Sequence, residues 1–303
     1  MSDSATTASP GPIARRLETT QPEVLFVISA IAQYVGAAIA VGLFDDVAPR
    51  TVAWLRVIGA TIALLVVSRR WWVGWSRRAL VAAGVFGVAT ALMNTFFYLA
   101  IDRIDLGKSV TIEFIGPIAV AAATTRTARN WVALAFAVVG VVVLGGVEVG
   151  DNTLGLVFIL AASTMWAAYI VVGSHVAQLD RGVAGLGVGL AIGALAITPL
   201  GAPGSAEVWT TPSLLAACLL VGVFSNAIAY GIDQFTLRRI PIRRFSLLLA
   251  MLPVTAALIG WLWLGQTPSP LDVLGTALVL VGVTVQERDE IERVERVVRT
   301  DPA

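Results

Sequence analysis

Three ionisable side chains, Arg56, Glu113 and Asp233, fall inside long apolar stretches of this 303-residue chain. Charges in lipid are costly to keep, so each is a candidate for function before anything else is considered. Arg56 and Glu113 each lie a few residues in from the same end of their stretches, which lets them share one depth. Several roles fit that placement. The two can form a buried ion pair that holds helices in register, or stand apart as the opposite poles of a site for a zwitterion, or Arg56 can snorkel to the interface. A carboxylate in a cavity that opens to water in turn is also a group able to exchange a proton. Asn94, Tyr98, Trp166, Tyr169 and Asn226 add polar handles near the same depth, although asparagines in such stretches also bond neighbouring helices. Pro117 and Pro253 each withdraw a backbone donor in mid-stretch, and the carbonyl so freed either kinks the helix or lines a cavity.

Catalytic chemistry fails on inventory. His175 is the single histidine and Cys218 the single cysteine, so neither a zinc motif nor a metal cage can be assembled, and no metal or other cofactor is expected. His175 reads as a solvated side chain in a loop, and Cys218 as a small packing residue that cannot form an intrachain disulfide. No Walker A sequence is present, so ATP does not drive chemistry on this chain. Gly185, Gly189 and Gly193 repeat every fourth residue without a preceding strand or a following Lys-Ser or Lys-Thr, which suits a close-packed helix face rather than a phosphate loop. An intramembrane hydrolase would need paired aspartates or a serine with its base at one depth, and neither pairing is visible. No signature of nucleic-acid binding appears either.

The elements that must position these residues follow from composition. With 57% hydrophobic residues, 14% charged residues and a mean hydropathy of +0.83, the chain is too apolar for a soluble domain of its size. Ten apolar stretches can be marked: Val24 to Phe44, Arg50 to Val67, Leu80 to Ala100, Gly107 to Thr125, Trp131 to Val147, Leu154 to Val172, Val183 to Leu200, Leu214 to Ile232, Phe245 to Leu264 and Leu271 to Val285. At about 1.5 Å per residue each can cross a hydrocarbon layer of about 30 Å as a helix. The expected fold is an all-α integral membrane protein in membrane lipid. Residues 1–22 form a Ser-, Thr-, Ala- and Pro-rich tail expected to be disordered, and residues 287–303 a charged tail with the spacing of a short helix.

Charge placement orients the chain. Apart from Arg50, Arg56, Arg103 and Lys108, every arginine and lysine falls in a terminal tail or in alternate loops, which by the positive-inside rule predicts cytoplasmic N- and C-termini. Trp71, Trp72, Trp75 and Trp131 then mark the cytoplasmic interface, and Trp209, Trp261 and Trp263 the outer one. An internal repeat sharpens the picture. Asn94-x-x-x-Tyr98 followed by Ile101-Asp102 recurs as Asn226-x-x-x-Tyr230 followed by Ile232-Asp233, and in each copy a proline (Pro117, Pro253) and a glycine set in valines (Gly140, Gly282) come next. Residues 23–149 and 150–286 are therefore expected to be two five-helix units. An odd number of spans per unit turns the second upside down, so the repeat is inverted, as in secondary transporters with a site between their halves.

With these residues in view, the chain resembles the drug/metabolite transporter superfamily, in particular its EamA type and the subgroup of bacterial threonine/homoserine exporters. The likeness is carried by Leu55-Arg56, Met93-Asn94 through Phe97-Tyr98-Leu99, Leu106-Gly107, Glu113-Phe114 with Gly116-Pro117, Trp166-Ala167 with Tyr169-Ile170, and the run from Phe245 to Gly265. It covers roughly Val24 to Val285. The resemblance implies a multi-pass carrier of the plasma membrane that exports small amino acids or related metabolites, in exchange for protons. In exporters of this type a glutamate usually precedes the proline of the ninth span, whereas here Leu252 precedes Pro253, which leaves Glu113, with Asp233, to do the carboxylate work. A carrier of another metabolite or of a cationic drug, and a membrane scaffold that no longer moves solute, are the competing expectations. Retained intramembrane charges argue against the scaffold.

Overall fold

The computed structural model describes residues 20–68, 71–125, 127–148, 152–177, 182–229, 232, 248–249 and 251–285. The two tails, Tyr230 and Asp233 lie outside them, apart from the last residues of the N-terminal tail. Among the described residues the protein is helical and contains no strand. In chain order the helices are α1 (Pro22–Val41), α2 (Pro49–Ser68), α3 (Arg77–Ile101), α4 (Leu106–Glu113), α5 (Ile115–Thr125), α6 (Ala128–Glu148), α7 (Thr153–Ala177), α8 (Gly182–Gly201), the short α9 (Ala206–Thr210), α10 (Pro212–Gly222), α11 (Met251–Leu264) and α12 (Pro270–Val285). A π-helical segment, Val223–Ile228, continues α10. Five helices, α1, α2, α3, α7 and α8, are long and apolar enough to cross a membrane, and α6, α10 with its π segment, α11 and α12 are shorter apolar helices.

Local sequence explains where helices begin. Pro22, Pro49, Pro212 and Pro270 occupy first helical positions, where a missing N–H costs nothing. Ser76 caps α3 by accepting the Ala79 N–H at 3.1 Å. Ser269 and Asp272 cap α12 reciprocally, each side chain accepting the other's backbone N–H. Outward faces carry large apolar side chains such as Val66, Leu195 and Leu262, each at least 70% exposed. Such a surface belongs in lipid. Trp71, Trp72, Trp131, Trp209, Trp261 and Trp263 are also exposed, as interfacial anchors are.

Inside, small residues let backbones touch. A Cβ at Gly87 on α3 would lie 1.7 Å from the Gly189 carbonyl oxygen on α8, and one at Gly193 would lie 2.3 Å from the Gly87 oxygen, so Gly189 and Gly193 do form the close-packing face that their spacing predicts. A second seam joins α2 to α10, where a Cβ at Gly222 would lie 1.9 Å from the Arg56 carbonyl oxygen. Lipid gives helices no hydrophobic reason to associate, so contacts this close carry much of the packing. Cys218 lies buried in α10, as a packing residue would.

Two pairs of helices run antiparallel. Gly140 on α6 faces Gly275 and Val279 of α12, while Gly282 of α12 faces Ala133 and Ala137 of α6. On α2, Thr51 donates to the Gly201 carbonyl of α8 at 2.8 Å and the Trp54 indole donates to the Ala194 carbonyl at 3.1 Å, whereas Leu64 and Leu65 near the far end of α2 meet Gly187.

Two expected spans are not single α-helices. The fourth stretch breaks at Phe114 into α4 and α5, and the eighth changes from α to π at Val223. His175, expected in a loop, lies in the last turn of α7.

Candidate functional site

Pro117 does not kink a continuous helix. It sits third in α5, and the donor it lacks would have reached back four residues to the carbonyl of Glu113, at the end of α4. That carbonyl is not left open. The Ser163 hydroxyl of α7 donates to it at 2.9 Å. Gly116 makes the approach possible, since a Cβ there would lie 2.2 Å from the Ser163 carbonyl oxygen. Three residues on, Trp166 stands edge-on to Phe114 with ring centroids 5.0 Å apart. One face of α7 therefore holds the junction at which Glu113 is presented. Replacing Ser163 by alanine leaves this buried carbonyl without a donor and is expected to cost about 1–3 kcal/mol, read as a lowered midpoint of thermal unfolding in detergent. Thr164→Ala is the control and should leave the midpoint in place, because Thr164 is exposed and bonds its own helix.

Arg56, the eighth residue of α2, is 3% exposed. Its Nε donates to the Ser225 hydroxyl at 2.9 Å, and Ser225 in turn donates to the Val221 carbonyl. The guanidinium carbon stands 4.8 Å from the centroid of the Tyr98 ring, a cation–π arrangement in a desolvated place. Tyr98 is itself fully buried, with Phe44 edge-on at 5.8 Å. One guanidinium nitrogen, Nη1, has no hydrogen-bond partner among the described residues.

Glu113 is buried, at 8% exposure. Arg56 and Glu113 are not among the ion pairs of the described residues, which join Asp102 to Arg103 and Lys108 to Asp105 and Asp272. Of the roles open to the sequence, the ion pair in direct contact and the snorkelling arginine are thus not what the structure adopts. Arg56, against the Tyr98 ring, and Glu113, next to the Phe114 that Trp166 holds, are both buried, with no ion pair between them among the described residues.

The remaining expected residues divide. Asn94 donates through Nδ2 to the Thr90 carbonyl of its own helix at 2.7 Å. Asn226, its repeat partner, lies in the π segment with neither amide atom bonded. Tyr169 packs on Phe86 of α3, centroids 4.6 Å apart, at the α3–α7 contact. Pro253 and Leu252 are buried at the start of the described part of α11. Ser163 and Ser225 hold the site but carry no motif. Their only signals in the sequence are their positions, three before Trp166 and one before Asn226. A separate polar cluster lies where α4 begins: Gln266 accepts the Leu106 N–H at 3.0 Å and Lys108 bridges Asp105 and Asp272, beside a cavity of about 290 Å³.

Comparison with known proteins decides the family. Residues 153–286 match the model of the EamA-like transporter family. The threonine/homoserine exporter RhtA of Escherichia coli strain K12 is 30% identical over 289 residues, spanning 93% of this chain and 98% of that protein. The chain belongs to the EamA-like transporter family. RhtA of Salmonella typhimurium strain LT2 is similar to this EamA-like protein at 29% identity with the same coverage. An uncharacterized transporter of Bacillus subtilis, YwfM, is 26% identical over 208 residues, or 65% of this chain and 70% of that one. A solved crystal structure aligns with a TM-score of 0.58 over 87% of this chain and 96% of its own, at 19% identity, a likeness of fold. This EamA-like protein is thus a membrane transport protein.

Proposed function

We propose that this protein is a secondary exporter of small zwitterionic amino acids of the threonine and homoserine kind, driven by protons, in the plasma membrane with both termini cytoplasmic. It is organised as ten spans in two inverted five-helix repeats, residues 23–149 and 150–286. The antiparallel pairing of α2 with α8 and of α6 with α12, each the counterpart of the other in the two halves, supports that organisation. Similarity to RhtA over nearly the whole chain supports the substrate class.

The single observation that carries the reading is that Arg56 and Glu113 are both buried with no ion pair between them among the described residues. Arg56 takes the substrate carboxylate. Glu113 takes the ammonium, or a proton in its absence, so substrate and proton compete for one acid as the two halves rock. Tyr98 and Trp166 wall the site, Asn94 and Tyr169 support its walls, and Asp233 supplies a second acid at the cytoplasmic end.

The test is efflux of labelled threonine and homoserine from proteoliposomes under an imposed pH gradient. Wild type should export both. Glu113→Gln should lose the gradient-driven part by at least about tenfold, the effect of one charge-assisted contact. No flux of either solute from folded wild type would refute the assignment. A carrier for another metabolite or a cationic drug is favoured by one feature only, buried Leu252 ahead of Pro253 in place of an acid, and a competition panel against labelled threonine separates the two.

A further inference from the structure

Asn94 and Asn226 occupy the same place in the repeated motif and have opposite fates. Asn94 is 3% exposed and spends its donor on its own helix. Asn226 is fully buried, and both Oδ1 and Nδ2 lack a partner. An asparagine that glues two helices together shows a bond to one of them. Asn226 shows none among the described residues, although its neighbours are bonded: Ser225 to Arg56 and to Val221, and the Ala229 carbonyl to the Ser29 hydroxyl of α1. A buried amide with an unmet donor and an unmet acceptor is destabilising, more so where no water can serve it. Its segment is also a π turn, a rare helix variant frequent at functional sites.

The second unmet group lies next door. Arg56 bonds Ser225, the residue before Asn226, through Nε and keeps Nη1 unpartnered, so a cationic donor and an amide with both atoms unmet belong to the two neighbouring places on this segment. A carboxylic amide carries its donor and acceptor side by side. The complementary ligand is a group with an acceptor and a donor side by side, and the α-carbon of a free amino acid bears both, carboxylate and ammonium.

We propose that Asn226 reads the α-amino-acid head of the substrate, its Nδ2 donating to the carboxylate beside Arg56 Nη1 and its Oδ1 accepting from the ammonium. This rests on the amino-acid exporter reading and narrows it, because recognition by Asn226 requires both groups on one carbon. Solutes lacking either group are rejected, since an amine without a carboxylate, or an acid with no donor on its α-carbon, leaves one amide atom unmet.

The experiment compares wild type, Asn226→Leu and Asn226→Asp in proteoliposomes. Labelled threonine is competed with unlabelled threonine, with 1-amino-2-propanol, which lacks the carboxylate, and with 3-hydroxybutyrate, which lacks the amine and carries no donor on its α-carbon. Asn226→Leu should raise the KM for threonine about 10- to 100-fold without lowering the unfolding midpoint, and should shrink the preference for threonine over both analogues. Asn226→Asp keeps the acceptor and turns the donor into a negative charge. It should favour the amine over the hydroxy acid relative to wild type, and it keeps the test decisive if the leucine variant does not fold. A threonine KM within twofold of wild type in Asn226→Leu, or equal losses for threonine and both analogues, overturns the role of Asn226 while leaving the exporter reading intact. If wild type carries no α-amino acid at all, both fall together.

Discussion

Arg56→Met should reduce threonine efflux by about 100-fold while leaving thermal stability unchanged or raised. Both halves of that expectation follow from the same geometry. The guanidinium is 3% exposed, is held by one hydrogen bond to Ser225 and by the Tyr98 ring, and is in contact with no carboxylate among the described residues. A buried charge without a paired acid is a burden on folding, and an apolar side chain of similar length relieves it. Function moves the other way, because truncating a buried charge that binds an ionic ligand commonly costs about 2–5 kcal/mol. Arg56→Lys should recover little, since an ammonium cannot hold Ser225 and present a second nitrogen in the guanidinium's planar fork. Flux and unfolding midpoint measured on one preparation separate the possibilities. A sharp fall in stability with Arg56→Met would make Arg56 a structural strut and remove it from the site.

Gly87→Leu is the substitution expected to do most damage to the fold itself. Its Cβ alone would lie 1.7 Å from the Gly189 oxygen and 2.1 Å from the Gly189 carbonyl carbon, both backbone atoms that cannot rotate away. Helices α3 and α8 would have to part, and the reciprocal contact of Gly193 with the Gly87 oxygen would go with them. A loss of about 3 kcal/mol or more is expected, enough to unfold a marginal protein. It should show as loss of the monodisperse peak in detergent chromatography. Gly84→Ala, one turn earlier on α3, is the matched control. Its Cβ would meet only Ile192 side-chain atoms at 3.4 Å, so folding should be retained, and failure of both variants alike would mean that the seam is not what Gly87 serves.

How much of this was legible beforehand varies by residue. That the described chain is helical and carries apolar, membrane-crossing helices followed from hydropathy, a property of each stretch by itself. The close-packed face of Gly189 and Gly193 was also legible, because a spacing of four places residues on one side of any helix. So was the candidacy of Arg56 and Glu113, since a charge in an apolar run stands out whatever surrounds it.

The rest needed the third dimension. Pro117 marked a lost hydrogen bond, but the break came at Phe114, where the freed Glu113 carbonyl finds Ser163, fifty positions further along the chain. Asn94 and Asn226 share a motif, yet one is bonded and the other is not, because only the second lies in a π turn, on the helix that packs against α2 through Gly59 and Gly222. The sequence alone could not say whether Arg56 and Glu113 touch. Their separation depends on how α2 and α4 are rotated and staggered. In water a helix shows its inward face by being apolar there and polar elsewhere, but in lipid both faces are apolar, so the pattern that would report rotation is nearly erased. The sequence by itself therefore determined the class of protein, its helices and the charges that matter. Only the tertiary structure decided which of those charges stay unpaired, because that depends on distances between helices.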